Sequence, residues 1–338
     1  MSLAIKRIAV VSCIVGGLLQ GEATFAQTVG LVQVPVDNTS IFTLQGENSS
    51  VSAQKLTDRY YTNGLHFGYQ SAQDTYSGLS KLSNGLWGNG HVRLSVNITQ
   101  QIYTPADTGV SNPPLKDRPY AGVLLGTISA VQDSARARSS VGLQFGVVGS
   151  SALGETVQNG FHDLIGQTGN RGWHTQLHDE PVFAVQAARV WRLPTGSLLG
   201  FDTDILPGVA TTLGNLKVNL EAGMNIRLGQ GLQSDYGAPR INALGGGDAF
   251  RRNSGLGWYV FAGAGGQAVA HDITLDGNSF KTSRSVGLNQ FVGQFDAGLA
   301  ILAFGTRLSY TQVIQTQDFR HQKGGPHEFG SLALSVRF

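Results

Sequence analysis

The segment GETVQNGFHDLIG at 154–166 sets an amide and an imidazole four positions apart, at Gln158 and His162. Val157, Phe161, Leu164 and Ile165 recur there at helical spacing, and Gly154 and Gly166 bracket the run as stops. The pattern predicts a short loop helix with one apolar face and another presenting Gln158 and His162 one turn above each other. Histidine titrates near neutrality and serves readily as a general base, so this second face could move a proton in catalysis. A loop histidine that is merely solvated would leave the same pattern. The stretch KLTDRYYTNGLHFGY at 55–69 arranges its polar groups differently. Tyr61, Leu65, Phe67 and Tyr69 share one parity while Thr62, Gly64, His66 and Gly68 share the other, the period of a strand with one apolar and one polar or small face.

Strands of that kind are what must carry these groups. In NLKVNLEAGMNIR, Leu216, Val218, Leu220, Ala222, Met224 and Ile226 alternate with Lys217, Asn219, Glu221, Gly223, Asn225 and Arg227. HVRLSVNITQQIY sets Val92, Leu94, Val96 and Ile98 against Arg93, Ser95, Asn97 and Thr99. Candidates of this type fall near 38–48, 60–70, 91–103, 119–132, 137–148, 181–193, 198–212, 214–227, 257–270, 288–302, 305–316 and 329–338. Strands of about ten residues with one wholly apolar face fit an all-β transmembrane antiparallel barrel of about 12 strands, apolar outside and polar in the lumen. The C-terminal SLALSVRF supports this independently, with Leu332, Leu334, Val336 and Phe338 on one face. As the edge of a soluble sheet that face would invite aggregation; barrel closure removes the edge and lipid accepts the face. In such a barrel Tyr61, Leu65, Phe67 and Tyr69 would meet lipid, Thr62 and His66 would point into the lumen, and the longer loops would lie opposite the termini.

Composition agrees with that setting. Charged residues make up 14% where soluble domains average about 25%, and Gly accounts for 46 of 338 residues. A net charge of +2, with no basic run, excludes a nucleic-acid binder. Residues 1–26 carry Lys6 and Arg7, an apolar run from Ile8 to Leu19 and ATFA before Gln27, which reads as a signal peptide and leaves 27–338 as one barrel domain. The only cysteine, Cys13, lies inside that leader, so no disulfide is expected in the mature chain.

Five motifs in order carry a resemblance: GEN at 46–48, TDRYYTNG at 57–64, KDRPYAG at 116–122, QNGFHDLIG at 158–166 and GWHTQLHDEP at 172–181. Together they resemble the outer-membrane lipid A 3'-O-deacylase family and span most of the mature chain. The resemblance implies a twelve-stranded barrel in the bacterial outer membrane that removes the 3'-linked acyloxyacyl chain of lipid A, with calcium dependence and a site between the barrel wall and a loop helix. It implies functional roles for Asn48, Thr62, Lys116, Gln158 and His162, with His162 as the base, and sets Arg118 beside Lys116 as a candidate partner for a phosphate of the glycolipid. By itself DRPYAG also reads as a strand entry, with Pro119 where a missing donor does no harm.

Two positions depart from the family pattern. An acidic residue usually follows the asparagine, where this chain has Ser49, and another about six positions after the histidine is here Thr168. Calcium prefers carboxylate oxygens, for which Asp163, Glu155, Glu47 and Asp58 are the candidate replacements. Two other readings remain open: a passive barrel, pore or structural, and a serine-type outer-membrane phospholipase. For the latter the chain has no Gly-x-Ser-x-Gly elbow and no serine tied by position to His162.

Overall fold

The computed structural model describes residues 35–51, 59–241, 244, 246–252 and 255–338; the expected leader at 1–26 lies outside them. The alternating segments form β1 (Ile41–Asn48), β2 (Tyr60–Gln70), β3 (His91–Thr104), β4 (Ala121–Asp133), β5 (Ala137–Val148) and β6 (Glu180–Trp191). They continue as β7 (Leu193–Leu198), β8 (Phe201–Gly214), β9 (Lys217–Gln230), β10 (Gly257–Asp272), β11 (Phe291–Ala303), β12 (Thr306–Gln315) and β13 (His327–Arg337). Neighbours pair antiparallel, β1 pairs with both β2 and β13, and a β6–β8 pairing closes the ring. β6 and β7 are successive stretches of one wall position, since both pair with β8 on either side of Arg192. The result is the expected twelve-stranded barrel with one strand interrupted.

The two faces separate as the alternation requires. Met224 and Ile226 are exposed while Asn219, Glu221 and Arg227 are buried, and Leu332, Leu334, Val336 and Phe338 are exposed while Ser331, Ala333 and Ser335 are buried. In water this molecule would be inside out; in a bilayer the apolar exterior is the solvated face. Leu216 departs from the expected face, because it precedes the ladder of β9 and packs inward with Val123, Val148 and Ile273.

The longer connections are not confined to the end opposite the termini. A helix, α1 (Ser77–Trp87), joins β2 to β3 at the end that carries both termini. From the same end, the described residues between β9 and β10 fold back into the lumen as a plug. Leu232, Ala238, Ala249 and Phe250 of the plug pack against the inward side chains Ile41, Tyr259, Phe261, Ala300 and Leu302. Lumen charges need partners once water is thinned out, and the plug supplies them. Arg227 and Arg307 converge on Asp235 at 2.6 and 3.1 Å, and the Tyr259 hydroxyl donates to it at 2.8 Å. Arg307 also donates to the Gly247 and Asp248 carbonyls, and Arg138 to those of Gly246 and Ala249. His66 is the anchor on β2: its Nε2 lies 3.1 Å from Asp248. A Cβ on Gly68 would fall 2.2 Å from that carboxylate, so only glycine leaves room for the pair.

Candidate active site on the outer wall

β2 does not hold strict alternation through its motif. Its ladder with β3 matches Tyr61 to Tyr103 and Asn63 to Ile102, so Thr62 is an extra, bulged residue. One inserted residue reverses parity beyond it. Tyr61 therefore turns into the lumen, where its hydroxyl donates to Glu47 at 2.8 Å and its ring packs on Tyr103. A Cβ on Gly64 would sit 2.1 Å from the Tyr61 hydroxyl, which accounts for the glycine there. Thr62 lies on the outer side instead, its Oγ1 2.7 Å from that of Thr104. This corrects both expectations from parity, Tyr61 toward lipid and Thr62 toward the lumen; Phe67 outward and His66 inward stand.

The expected loop helix is α2 (Gly154–Leu164), laid against the outside of β3 and β4. Glycines let it come close: a Cβ on Gly122 of β4 would be 3.1 Å from the Gly154 nitrogen, and one on Gly154 would be 2.7 Å from the Trp173 ring. The turn before it, residues 150–152, hangs on Asp179, which accepts from the Ser151 amide at 2.8 Å and hydroxyl at 2.6 Å and from the Ser150 hydroxyl at 3.1 Å. Partial burial pushes the Asp179 carboxyl up, but these donors outweigh it and hold it below the usual carboxylate range. Beneath the helix, Ile102, Tyr120 and Trp173 form a fully buried cluster with Val157 packed on it.

Gln158 and His162 are the side chains that α2 buries toward this wall. The Gln158 Oε1 accepts from the Trp173 indole at 3.0 Å. Past Gly166, whose φ of +71° suits glycine, the chain doubles back so that His162 Nδ1 donates to the Thr168 carbonyl at 3.2 Å. A carbonyl can only accept, so Nδ1 carries the proton and Nε2 is the basic nitrogen of the neutral ring. Asn159 clamps the returning strand, accepting from the Asn170 amide at 2.7 Å and donating to its carbonyl at 3.3 Å.

Asn48 ends β1 on the same outer row: it pairs with Asn63, which pairs with Ile102 under the helix. Its Oδ1 accepts from the Ser50 amide at 2.6 Å, which directs the amide nitrogen elsewhere as a donor. Ser49 is fully buried and donates to the Thr62 carbonyl at 3.5 Å. Lys116 is exposed in the 105–120 connection. Arg118, two residues on, is on the other side of the wall. Its guanidinium pairs with Asp318 at 2.6 Å, donates to Thr274 at 2.7 Å and stacks over Tyr103 in the lumen. The structure thus brings Asn48, Thr62, Gln158 and His162 to one outer surface and separates Arg118 from them.

The acidic side chains that the sequence offers for calcium do not gather among the described residues. No three acidic, imidazole or thiol side chains converge among the described residues. Glu47 is committed to the lumen, accepting from Tyr61, Gln45 and the Ile241 amide, while Glu155 and Asp163 are exposed on α2. Asp58 lies outside the described residues. Parts of the site that the sequence did not single out are Trp173 and Thr104. Trp173 stands inside a quoted motif, but its role needs the fold-back at 166–173; Thr104 needs the bulge.

Comparison with known proteins bears on this arrangement. A family model described as outer membrane protein LpxR matches residues 10–338. Among solved structures, LpxR from Salmonella typhimurium is similar at 22% identity, covering 88% of this chain and 100% of that one with a TM-score of 0.73. The translocator domain of the autotransporter NalP from Neisseria meningitidis matches at 11% identity over 98% of each chain, with a TM-score of 0.38. No curated protein matches.

Proposed function

This chain belongs to the LpxR family of outer-membrane proteins, and from that premise we propose that it is a lipid A deacylase that hydrolyses the 3'-linked acyloxyacyl ester. The chain is a multi-pass β-barrel of the bacterial outer membrane, so its outer surface meets the lipid that carries such esters. The observation that carries the reading is the orientation of α2, which turns Gln158 and His162 toward the wall and holds His162 through Nδ1. A general base needs its imidazole held in one orientation, and this bond to the Thr168 carbonyl supplies that hold.

In this mechanism His162 Nε2 takes a proton from water as the water oxygen attacks the acyl carbonyl. The oxyanion is met by donors on the wall, the Asn48 amide nitrogen and the Thr62 hydroxyl. Collapse breaks the bond to the sugar oxygen, His162 returns its proton to that oxygen, and the products are a carboxylic acid and a sugar hydroxyl. Gln158, fixed by Trp173, holds α2 in register with these donors. Lys116, exposed in the 105–120 connection, is the cation we assign to a phosphate of the glycolipid. Arg118 faces Asp318 and has no part in this reading. Mass spectrometry of lipid A from outer membranes with and without the expressed protein tests it. Loss of one acyloxyacyl group is expected, and unchanged lipid A around correctly inserted protein would overturn it.

A further inference from the structure

α2 is sided in a way the mechanism does not use. At 3.6 residues per turn, Gln158 and His162 point at the wall, Phe161 and Leu164 lie about 80° and 140° to one side of their mean direction, with Leu153 in the turn just before the helix, and Glu155, Asn159 and Asp163 lie about 40°, 80° and 120° to the other. Leu153 and Phe161 are each 53% exposed and Leu164 is 82% exposed, whereas the other flank is polar. The helix is set down next to the lipid-facing band of the barrel. Gln100, two residues beyond the exposed Ile98 on the same outer row of β3, donates to the Ala152 carbonyl at 2.7 Å just before the helix begins. Val96 and Ile98 of β3 and Ile128 of β4, the two strands the helix lies against, are exposed as well.

We propose that this flank of α2 is seated in the acyl-chain region of the outer leaflet, so that an acyl chain reaches the wall side of the helix laterally from the bilayer. An amphipathic helix lying in the interface buries its apolar side and keeps its charged side in water, and here Glu155 and Asp163 are that charged side. The identity of the entering chain rests on the deacylase reading; the seating of the helix does not.

The experiment uses the mature full-length barrel, which lacks cysteine because Cys13 lies in the expected leader. Leu164→Cys and Glu155→Cys proteins are labelled with an environment-sensitive fluorophore and reconstituted in phosphatidylcholine vesicles. At position 164, quenching by a doxyl group on the lipid acyl chain should exceed quenching by aqueous iodide by about twofold or more, with position 155 showing the reverse order. Equal iodide quenching at both positions would overturn the proposal. If Leu164→Cys fails to fold, Phe161→Cys reports the same flank. These signals are read whether or not the protein turns over lipid A, so their failure and that of the deacylase reading are distinguishable.

Discussion

His162 and Gln158 share one face of one helix turn but are asked for different things. His162→Asn keeps a polar side chain while removing the base, so the barrel should fold and deacylation should fall by ~10²-fold or more, the typical contribution of a positioned base. Gln158→Ala should cost less, because the amide bonded to Trp173 only holds geometry. Rates of lipid A turnover by folded protein check the order; a parental rate for His162→Asn would make His162 a structural histidine that only ties the helix to the Thr168 carbonyl. The metal belongs to the same scale. With Ser49 and Thr168 at the usually acidic positions and no acidic cluster among the described residues, activity should survive exhaustive chelation. Loss of turnover with chelator and its return with added calcium would reinstate the ion.

At the scale of elements, the site depends on two backbone adjustments. The bulge at Thr62 moves that hydroxyl from the lumen to the outside of the wall, and the glycine contact between Gly122 and Gly154 allows α2 to lie against β4. Gly154→Val should lift the helix, because its Cβ would meet buried Trp173 at 2.7 Å and the Gly122 Cα at 3.0 Å, neither of which can retreat. An ångström of misplacement at a catalytic group can cost ~10²-fold in rate, so turnover should drop while heat-modifiable gel mobility stays parental. Unchanged turnover would mean that the close seat is not what positions Gln158 and His162.

Across the whole molecule, lipid solvates the outside and the plug completes the inside. Leu220→Arg would set a charge on the lipid face at a cost of ~2–4 kcal/mol near the midplane and should impair assembly. Glu221→Gln should be tolerated, since an amide oxygen can still accept from the Leu244 amide as the carboxylate does at 3.0 Å. Yield and heat-modifiable mobility of the two variants compare them directly, and equal behaviour would reverse the assignment of faces. The plug makes a further expectation at this scale. With the plug held in the lumen through Asp235, Asp248 and Phe250, purified protein in planar bilayers should not conduct steadily. Regular open-channel steps would favour the passive pore over the enzyme.

Much of this was determined by local sequence. Side-chain alternation such as Leu220 against Glu221 fixes which face a strand gives to lipid, because the period of two is built into every extended backbone. Helical spacing likewise set Gln158 and His162 on one face of α2. What only the tertiary structure decided are the features that depend on a partner distant in the chain. The bulge that turns Tyr61 inward and Thr62 outward exists only in the register with Tyr103 and Ile102. The direction of Arg118 depends on Asp318, 200 residues away, and the role of His66 depends on Asp248, 182 residues away. Alternation is a property of one strand, whereas a register shift or a buried ion pair is an agreement between two segments, and one segment read alone does not contain it.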